Sequence, residues 1–235
     1  MSIERYSVID KKNPREILLL KSRPCHWGIC TFCDYIHDNS SNENENIILN
    51  RSTLSRVTGR YKQLEIINSG SCFELPEISL ADIQSKTHEK AIEKLYFEAH
   101  YSYRDQLKTF QNKFEMPIIF KSGIETFDDH FRNKVLKKGV YFSSPKEVAG
   151  YFKSICLLVG IEGQTKDMIK RDVDVLLNLF DYGCINIFQN NSTSVKADPL
   201  LITLFQENFG FLEKLENIEV LWHNTDFGVG GKINE

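Results

Sequence analysis

The sequence predicts an α/β fold: a partial (β/α)6 barrel, in which an open, curved parallel sheet has its helices on the outside. Short apolar runs alternate with longer amphipathic stretches six times along the chain, and this alternation implies right-handed crossovers between parallel strands. Most of the runs are apolar throughout, which is typical of strands covered on both faces. The chain has 235 residues, fewer than the ~250 of a full eight-fold barrel. Because it shows no internal repeat and no interdomain linker, residues 1–235 are expected to form a single domain.

The strands are predicted where the apolar runs fall. The first contains Ile17-Leu18-Leu19-Leu20, and the second ends just before Ser69-Gly70-Ser71. Six strands are predicted, at residues 16–21, 64–68, 94–100, 117–121, 154–160 and 185–190. A last edge strand is predicted at residues 219–222, before a glycine-rich tail.

Helices are predicted where apolar residues recur with helical spacing. Ser79 is expected to cap the second helix, and Gly139 to end the fourth. The Lys137-Lys138 pair at that end is predicted to be solvated, in a position that suits the helix dipole. The polar stretch 40–46 is predicted to be a loop. The six helices are predicted at residues 47–63, with an interruption at Gly59, and at residues 79–89, 103–114, 128–138, 166–180 and 199–209.

Composition and charge limit the function classes. Hydrophobic residues make up 41% of the chain and charged residues 26%, which is ordinary for a globular protein with one large core. The net charge of −3 and a pI near 6.1 do not favour duplex nucleic acid as a partner. No stretch approaches the ~20 apolar residues of a membrane helix, and the first residues lack a signal-peptide pattern. We therefore expect a cytoplasmic protein with no membrane partner, whose six cysteines are thiols or metal ligands.

Polar side chains follow the predicted strands at their carboxyl ends, where the chemistry of such folds gathers. This coincidence predicts one shared site at that edge of the sheet. In chain order, the residues in this position are the cysteine segment, Ser69-Gly70-Ser71, Glu98 and His100, Lys121 to Glu125, Glu162-Gly163-Gln164, and Asn190-Asn191.

Three cysteines lie within the segment Cys25-His-Trp-Gly-Ile-Cys30-Thr-Phe-Cys33 and predict a metal centre. Three thiolates are one short of the four that an electron-transfer [4Fe–4S] cluster normally uses, so one iron would be open to a substrate or cofactor. Zinc is the alternative, because His26 or His37 could complete a tetrahedral site. Structural zinc usually recruits a second cysteine pair, and the chain has no second C-x2-C. We therefore favour an iron–sulfur cluster, and with it an enzyme.

The cysteine segment resembles that of the radical S-adenosylmethionine (SAM) superfamily. The superfamily's usual spacing is C-x3-C-x2-C, against C-x4-C-x2-C here, with an aromatic residue before the last cysteine, which Phe32 matches. Later segments resemble the superfamily's later strand ends, in the same order, over about residues 16–210. These segments are Asn68-Ser69-Gly70-Ser71, Phe97-Glu98-Ala99-His100, Gly123-Ile124-Glu125-Thr126 with Leu136-Lys137-Lys138-Gly139, and Leu158-Val159-Gly160-Ile161-Glu162-Gly163.

The resemblance implies a cofactor pair, a [4Fe–4S] cluster and SAM. The cluster's open iron would chelate the methionyl group, and the reduced cluster would cleave SAM to methionine and a 5′-deoxyadenosyl radical. An electron donor such as flavodoxin or ferredoxin is implied as a partner. The cluster ligands would be Cys25, Cys30 and Cys33. The positions that match the cofactor-binding segments are Phe32, Asn68, Ser69, Gly70, Ser71, Glu98, Lys121 and Glu125.

The chemistry of these residue types suits that role. Gly70 lets a ligand approach the backbone closely, and the hydroxyls of Ser69 and Ser71 can bond the methionyl group. For Glu98, Lys121 and Glu125 the alternative is a salt-bridge network between strand ends.

Within the superfamily the chain most resembles the small clostridial-type queuine lyases, which salvage queuine from a queuosine-derived nucleoside or nucleotide. This implies hydrogen abstraction from the ribose and release of the base. A small-molecule nucleoside or nucleotide is the expected substrate, because the chain is short and acidic and lacks an auxiliary cluster motif.

Three residues further round the barrel are expected to contact the substrate: Glu162, Gln164 and Asn190. A carboxylate such as Glu125 or Glu162 would pair with the amidine edge and the amine of the base, and Asn190 would read the base edge. Asn190-Asn191 could equally form a simple turn. Two other functions stay open: a radical SAM tRNA-modification enzyme or partner subunit, and a non-catalytic zinc-binding module.

Overall fold

A computed structural model describes residues 3–231 of the chain. The described residues fall into two compact units. The first comprises those of Met1–Gly28, Tyr35–Phe120 and Thr225–Glu235, and the second comprises Ile29–Asp34 and Lys121–Asn224. The single domain expected from the sequence stays a prediction. Within the described range, no helix combines the length and the apolar character needed to cross a membrane.

The first unit is built on four neighbouring strands, of which the first is antiparallel to the second and the others are parallel. In register, Leu18 lies beside Ile66, and Ile66 beside Phe97. All three side chains are fully buried, as expected of runs covered on both faces. The strands, in their order in the sheet, are β1 (Tyr6–Ile9), β2 (Arg15–Leu20), β3 (Gln63–Asn68) and β4 (Lys94–Glu98).

In the second unit the strands pair in parallel, again in chain order. The register of the first pair is irregular between Gly123 and Glu125, and Glu125 has a φ of 65°, a left-handed conformation that residues other than glycine seldom adopt. A bulge of this kind re-aims the side chains at the end of a strand. The strands are β5 (Ile118–Glu125), which begins in the first unit, β6 (Ser154–Val159), β7 (Tyr182–Ile187) and β8 (Ile218–Leu221).

The helices begin at recognisable caps. Thr165 accepts a hydrogen bond from the Met168 N–H, and Asp198 caps a helix that has Pro199 at its first position, where a missing N–H costs nothing. The α-helices are α1 (Glu43–Leu54), α2 (Glu77–Glu89), α3 (Leu107–Gln111), α4 (Pro145–Tyr151), α5 (Lys166–Leu179) and α6 (Pro199–Phe209). Short 3-10 helices lie at Tyr35–Asp38, Cys72–Glu74, Tyr101–Gln106 and Gly210–Lys214, and a π-helix at Phe131–Val135.

Each strand predicted from the sequence corresponds to a strand of the structure, but some of the predicted ends are wrong. The prediction that Lys121 to Glu125 follow a strand is wrong, because β5 continues through Glu125. The strand predicted at 185–190 is β7, which begins and ends three residues earlier, at Tyr182 and Ile187. β1 has no counterpart in the prediction, since Tyr6–Ile9 is too short and too mixed in polarity to stand out.

Several helix predictions are wrong at their ends. The stretch 40–46 is not all loop, because α1 begins at Glu43, capped by an Asn42 side chain that accepts from the Glu45 N–H. Ser79 is not a cap: α2 begins two residues earlier, and the Ser79 Oγ accepts from Asn50 Nδ2 at 3.0 Å. A buried hydrogen bond between two helices thus uses the hydroxyl that the sequence assigns to a helix start.

Candidate functional site

The three clustered cysteines lie between β2 and the 3-10 helix Tyr35–Asp38. Cys25 belongs to the first unit, and Cys30 and Cys33 to the second. The three cysteines are partly exposed, whereas the chain's other cysteines are buried. Within residues 3–231, no three His, Cys, Asp or Glu side chains are grouped as metal ligands.

Glu74 fastens the Cys25 end of this segment within the first unit. Its buried carboxylate accepts from the His26 backbone N–H at 3.3 Å and from the Tyr103 hydroxyl at 2.9 Å. It also accepts from the Ser71 N–H in a capping box, the reciprocal arrangement that closes a short helix start. Burial, followed by the charge of Glu74, raises the pKa of Tyr103, so its hydroxyl remains a donor to Glu74.

Residues 68–71 pass directly beside Cys25. A Cβ on Gly70 would lie 3.3 Å from both Cα and Cβ of Cys25 and 3.1 Å from the Glu74 carboxylate, so the absence of a side chain permits this close approach. Asn68 Nδ2 donates to Ser22 Oγ at 3.1 Å and to the Ser71 carbonyl at 3.0 Å. Both contacts use Nδ2 of the Asn68 amide, and neither involves its Oδ1.

Two polar atoms of this stretch, Asn68 Oδ1 and Ser69 Oγ, are buried without a hydrogen-bond partner among the described residues. Leaving a buried polar atom unpaired costs about 1–3 kcal/mol, so such atoms are rare and call for an explanation. A bound ligand that supplies hydrogen-bond partners for both atoms is one such explanation. In the second unit, Ser122 Oγ on β5 is likewise buried without a hydrogen-bond partner among the described residues.

Glu98 lies at the end of β4, half-buried. Its charge adds to that of Glu74 in raising the pKa of Cys72, although burial is the main cause. Beyond it, His100 stacks on Trp27, with ring centroids 6.2 Å apart. Glu98 therefore stands in the same unit as Cys25 and the 68–71 stretch.

The second unit holds the Cys30 and Cys33 part of the segment from two sides. Thr31 donates its N–H to the Leu136 carbonyl at 3.0 Å and its hydroxyl to the Val135 carbonyl at 2.9 Å. Asn191 Nδ2 donates to the Phe32 carbonyl at 2.7 Å. The Phe32 ring packs against a buried cluster formed by Phe131, Leu136, Leu158, Ile161 and Phe188.

Glu125 and Lys138 form an ion pair at 2.6 Å, with side chains only 7% and 14% exposed. Burial lowers the pKa of Lys138, but Glu125, followed by the sulfurs of Cys30 and Cys33, raises it by more, so the pKa lies above its usual value. The salt-bridge alternative is thus found for Glu125. The prediction of a solvated Lys138 is wrong, because the bulge in β5 turns Glu125 towards it.

The remaining predicted residues lie in the second unit. Lys121 is buried within β5. Glu162 is exposed in the turn after β6, and Asn190 is exposed after β7, where its Oδ1 accepts from the Ala197 N–H at 2.9 Å. Asn190 thus closes a loop that extends to Ala197.

Gln164 is turned inward with its amide bonded to the backbone, and its contact with substrate stays a prediction. Its Oε1 accepts from the N–H groups of Gly160 at 2.9 Å and Ile161 at 3.1 Å, and its Nε2 donates to the Leu158 carbonyl at 2.8 Å. The Gln164 amide thus satisfies backbone groups of the turn after β6. The residue type alone does not reveal this role.

Three residues that hold the site are missed by the sequence reasoning. Glu74 could have been found, because Ser71-x-x-Glu74 has the spacing of a capping box directly after a predicted strand. Thr31 and Tyr103 act through contacts distant in sequence, and no local signal marks them.

The chemistry of the residues present suits the predicted cluster and SAM. Three cysteine thiols on one short segment are the donor set that a cluster with an open iron requires. Beside Cys25, the glycine at position 70 and two unpaired buried oxygens provide room and hydrogen-bonding capacity for a polar ligand.

Comparisons with known proteins agree with this interpretation. No family model matches the chain, and no curated protein matches it. Among solved structures, it is similar to a queuine lyase from Clostridium spiroforme bound to SAM and queuine. The two sequences are 50% identical, the match covers 98% of this chain and 100% of that one, and the TM-score is 0.96.

This likeness confirms the predicted fold class, an α/β partial barrel, and the resemblance to radical SAM enzymes. The chain belongs to the queuine lyase family.

Proposed function

We propose that the protein is a radical SAM lyase that releases queuine from a queuosine-derived nucleoside or nucleotide. The observation that supports this most strongly is the likeness, at 50% identity over 98% of the chain, to a queuine lyase bound to SAM and queuine. The net negative charge of the chain supports a small molecule as the substrate over a polynucleotide.

Cys25, Cys30 and Cys33 are the residues proposed to hold a [4Fe–4S] cluster. When bound and reduced, this cluster supplies the electron that cleaves SAM. Glu74 holds the Cys25 end of the segment through the His26 N–H within the first unit, and Thr31 is bonded within the second. Such supporting contacts orient ligands and tune a metal centre.

The methionyl end of SAM is assigned to residues 68–71. Asn68 Oδ1 is an acceptor suited to an ammonium group, and the Ser69 hydroxyl is a donor suited to a carboxylate. Both atoms are buried without partners among the described residues, so a ligand would relieve an existing cost. Phe32, Ser71, Glu98, Lys121 and Glu125 complete the proposed cofactor-binding set.

For the substrate we propose Glu162 and Asn190, because the amide of Gln164 is already bonded to the backbone. Glu162 is an exposed carboxylate that suits an amidine edge or an amine. The Asn190 Oδ1 accepts from the Ala197 N–H, and its Nδ2 is the group proposed to read the base edge. The base would then be recognised by loops that follow β6 and β7.

We propose the cytoplasm as the setting, with neither duplex nucleic acid nor membrane as a partner, which the composition and net charge support. The electron donor that the resemblance to radical SAM enzymes implies is a flavodoxin or ferredoxin. The alternatives of a tRNA-modifying enzyme and a zinc-binding module are less well supported, since the solved relative is described as a lyase bound to SAM and queuine.

The test is release of free queuine, measured by mass spectrometry. Anaerobically reconstituted protein would be incubated with SAM, dithionite and, in separate reactions, queuosine, its 5′-phosphate and queuosine-containing tRNA. We expect release from the nucleoside or nucleotide, loss of release in Cys30→Ala, and retention in Cys156→Ala, a buried cysteine away from the segment. Release from tRNA alone would favour the tRNA-directed alternative, and colourless, iron-free protein would favour zinc.

A further inference from the structure

Lys138 is a largely buried cation next to the cluster-binding segment. Its Nζ lies 2.6 Å from Glu125 Oε1 and 5.6 Å from the centroid of the Phe32 ring. Phe32 directly precedes Cys33. The ammonium group therefore sits beside the Cys33 end of the segment, inside the second unit, with its side chain 14% exposed.

The local backbone is built around this ion pair. A Cβ on Gly123 would lie 2.6 Å from the Glu125 carboxylate and 2.9 Å from Lys138 Nζ, so a larger residue there would displace the pair. Glu125 itself has a φ of 65° at an irregularity in the sheet register. A strained residue of this kind persists only where its surroundings require it, and such residues concentrate at functional sites.

The backbone that bears Lys138 is bonded directly to the cluster segment. Leu136, two residues before Lys138, accepts from the Thr31 N–H at 3.0 Å, and Val135 accepts from the Thr31 hydroxyl at 2.9 Å. Thr31 lies between Cys30 and Cys33 in sequence. The charge is thus held at a set place relative to these two sulfurs.

We propose that Lys138 is a positioning residue whose charge, fixed by Glu125, raises the reduction potential of the cluster that Cys30 and Cys33 help to hold. This rests on the proposed function only in requiring a cluster. Reduction adds one electron from an external donor to the cluster, and a nearby cation stabilises the more negative, reduced form. Glu125 opposes this effect, so the two side chains set the potential together.

The test is a redox titration of the reconstituted cluster by electron paramagnetic resonance, without SAM or substrate. For Lys138→Met we expect a roughly tenfold fall in the reduced-to-oxidised ratio at a fixed potential, because a partly buried unit charge beside the cluster-binding segment has an effect of that order. For this one-electron couple the change equals a midpoint about 59 mV lower. Glu125→Gln is expected to move the midpoint in the opposite direction, and Lys138→Arg to leave it close to wild type.

Lys134→Met is the matched control, because Lys134 is an exposed lysine in the stretch just before Lys138. Solvent screens the charge of such a side chain. Its midpoint should equal that of wild type. A role confined to folding would change iron and sulfide content without opposite shifts in the two variants. Equal midpoints in wild type, Lys138→Met and Glu125→Gln, at full iron content, would overturn the proposal and leave the lyase function untouched, since queuine release is measured separately.

Discussion

Replacing Gln164 with alanine is expected to lower stability, with little direct effect on substrate binding. The Gln164 amide makes three hydrogen bonds to the backbone, at 2.8–3.1 Å, in a site that is 6% exposed. With about 1 kcal/mol for each bond, Gln164→Ala should cost roughly 3 kcal/mol in the free energy of unfolding. In a chain of this size that lowers Tm by about 6–12 °C.

The assay is thermal unfolding followed by circular dichroism, together with the KM for queuine release below the transition. Glu162→Ala is the matched control: it lies in the same turn, but its side chain is exposed, so we expect a change within about 0.5 kcal/mol. A Tm equal to wild type combined with a KM raised about tenfold, a change worth about 1.4 kcal/mol in binding, would refute the reasoning and return Gln164 to the substrate site.

Three further predictions follow from buried groups. Ser69→Ala should leave the melting temperature of the cluster-free protein unchanged or raised, and it should weaken SAM binding about tenfold. The reason is that Ser69 Oγ is buried and unpaired among the described residues. A lower melting temperature with an unchanged SAM affinity in calorimetry would contradict this. Burial raises the pKa of Asp172 to about 6 from about 3.9 in the unfolded chain, so the folded state binds the proton more tightly and stability falls as pH rises through this range. Asp172→Asn, which keeps an acceptor for the Phe127 N–H, should therefore gain on the order of 3 kcal/mol over wild type between pH 4 and 7 in urea denaturation, and a constant difference would count against it. Gly160→Ala should cost about 2–4 kcal/mol, because φ is +87° and a Cβ would overlap the Ile202 side chain; an unchanged urea midpoint would exclude this.

The strands could be predicted because their signal is local. Runs such as Ile17-Leu18-Leu19-Leu20 are buried on both faces, and a strand of that kind needs no information from distant residues. The cluster segment was equally readable, since three cysteines in nine residues are rare in chance sequence. β1, by contrast, gains its stability from pairing with β2, and its own four residues do not show that.

The supporting contacts of the candidate site could not be predicted, because they depend on turns and bulges. Lys138 is indistinguishable in sequence from the exposed Lys137, and only the irregularity in β5 places Glu125 beside it. Gln164 looks like a strand-end polar residue, whereas the backbone groups that it satisfies are visible only once the turn is formed. Polar residue types at strand ends thus predict where a site lies better than they predict which side chains face it.

The central claim is that queuine leaves after a hydrogen atom is taken from the ribose of its nucleoside. The most direct measurement is mass spectrometry of the SAM-derived products after reaction with a substrate deuterated on that ribose. The account predicts deuterium in 5′-deoxyadenosine or in recovered SAM, together with released queuine, and neither in Cys30→Ala. Queuine released with no deuterium transferred and SAM intact would contradict it.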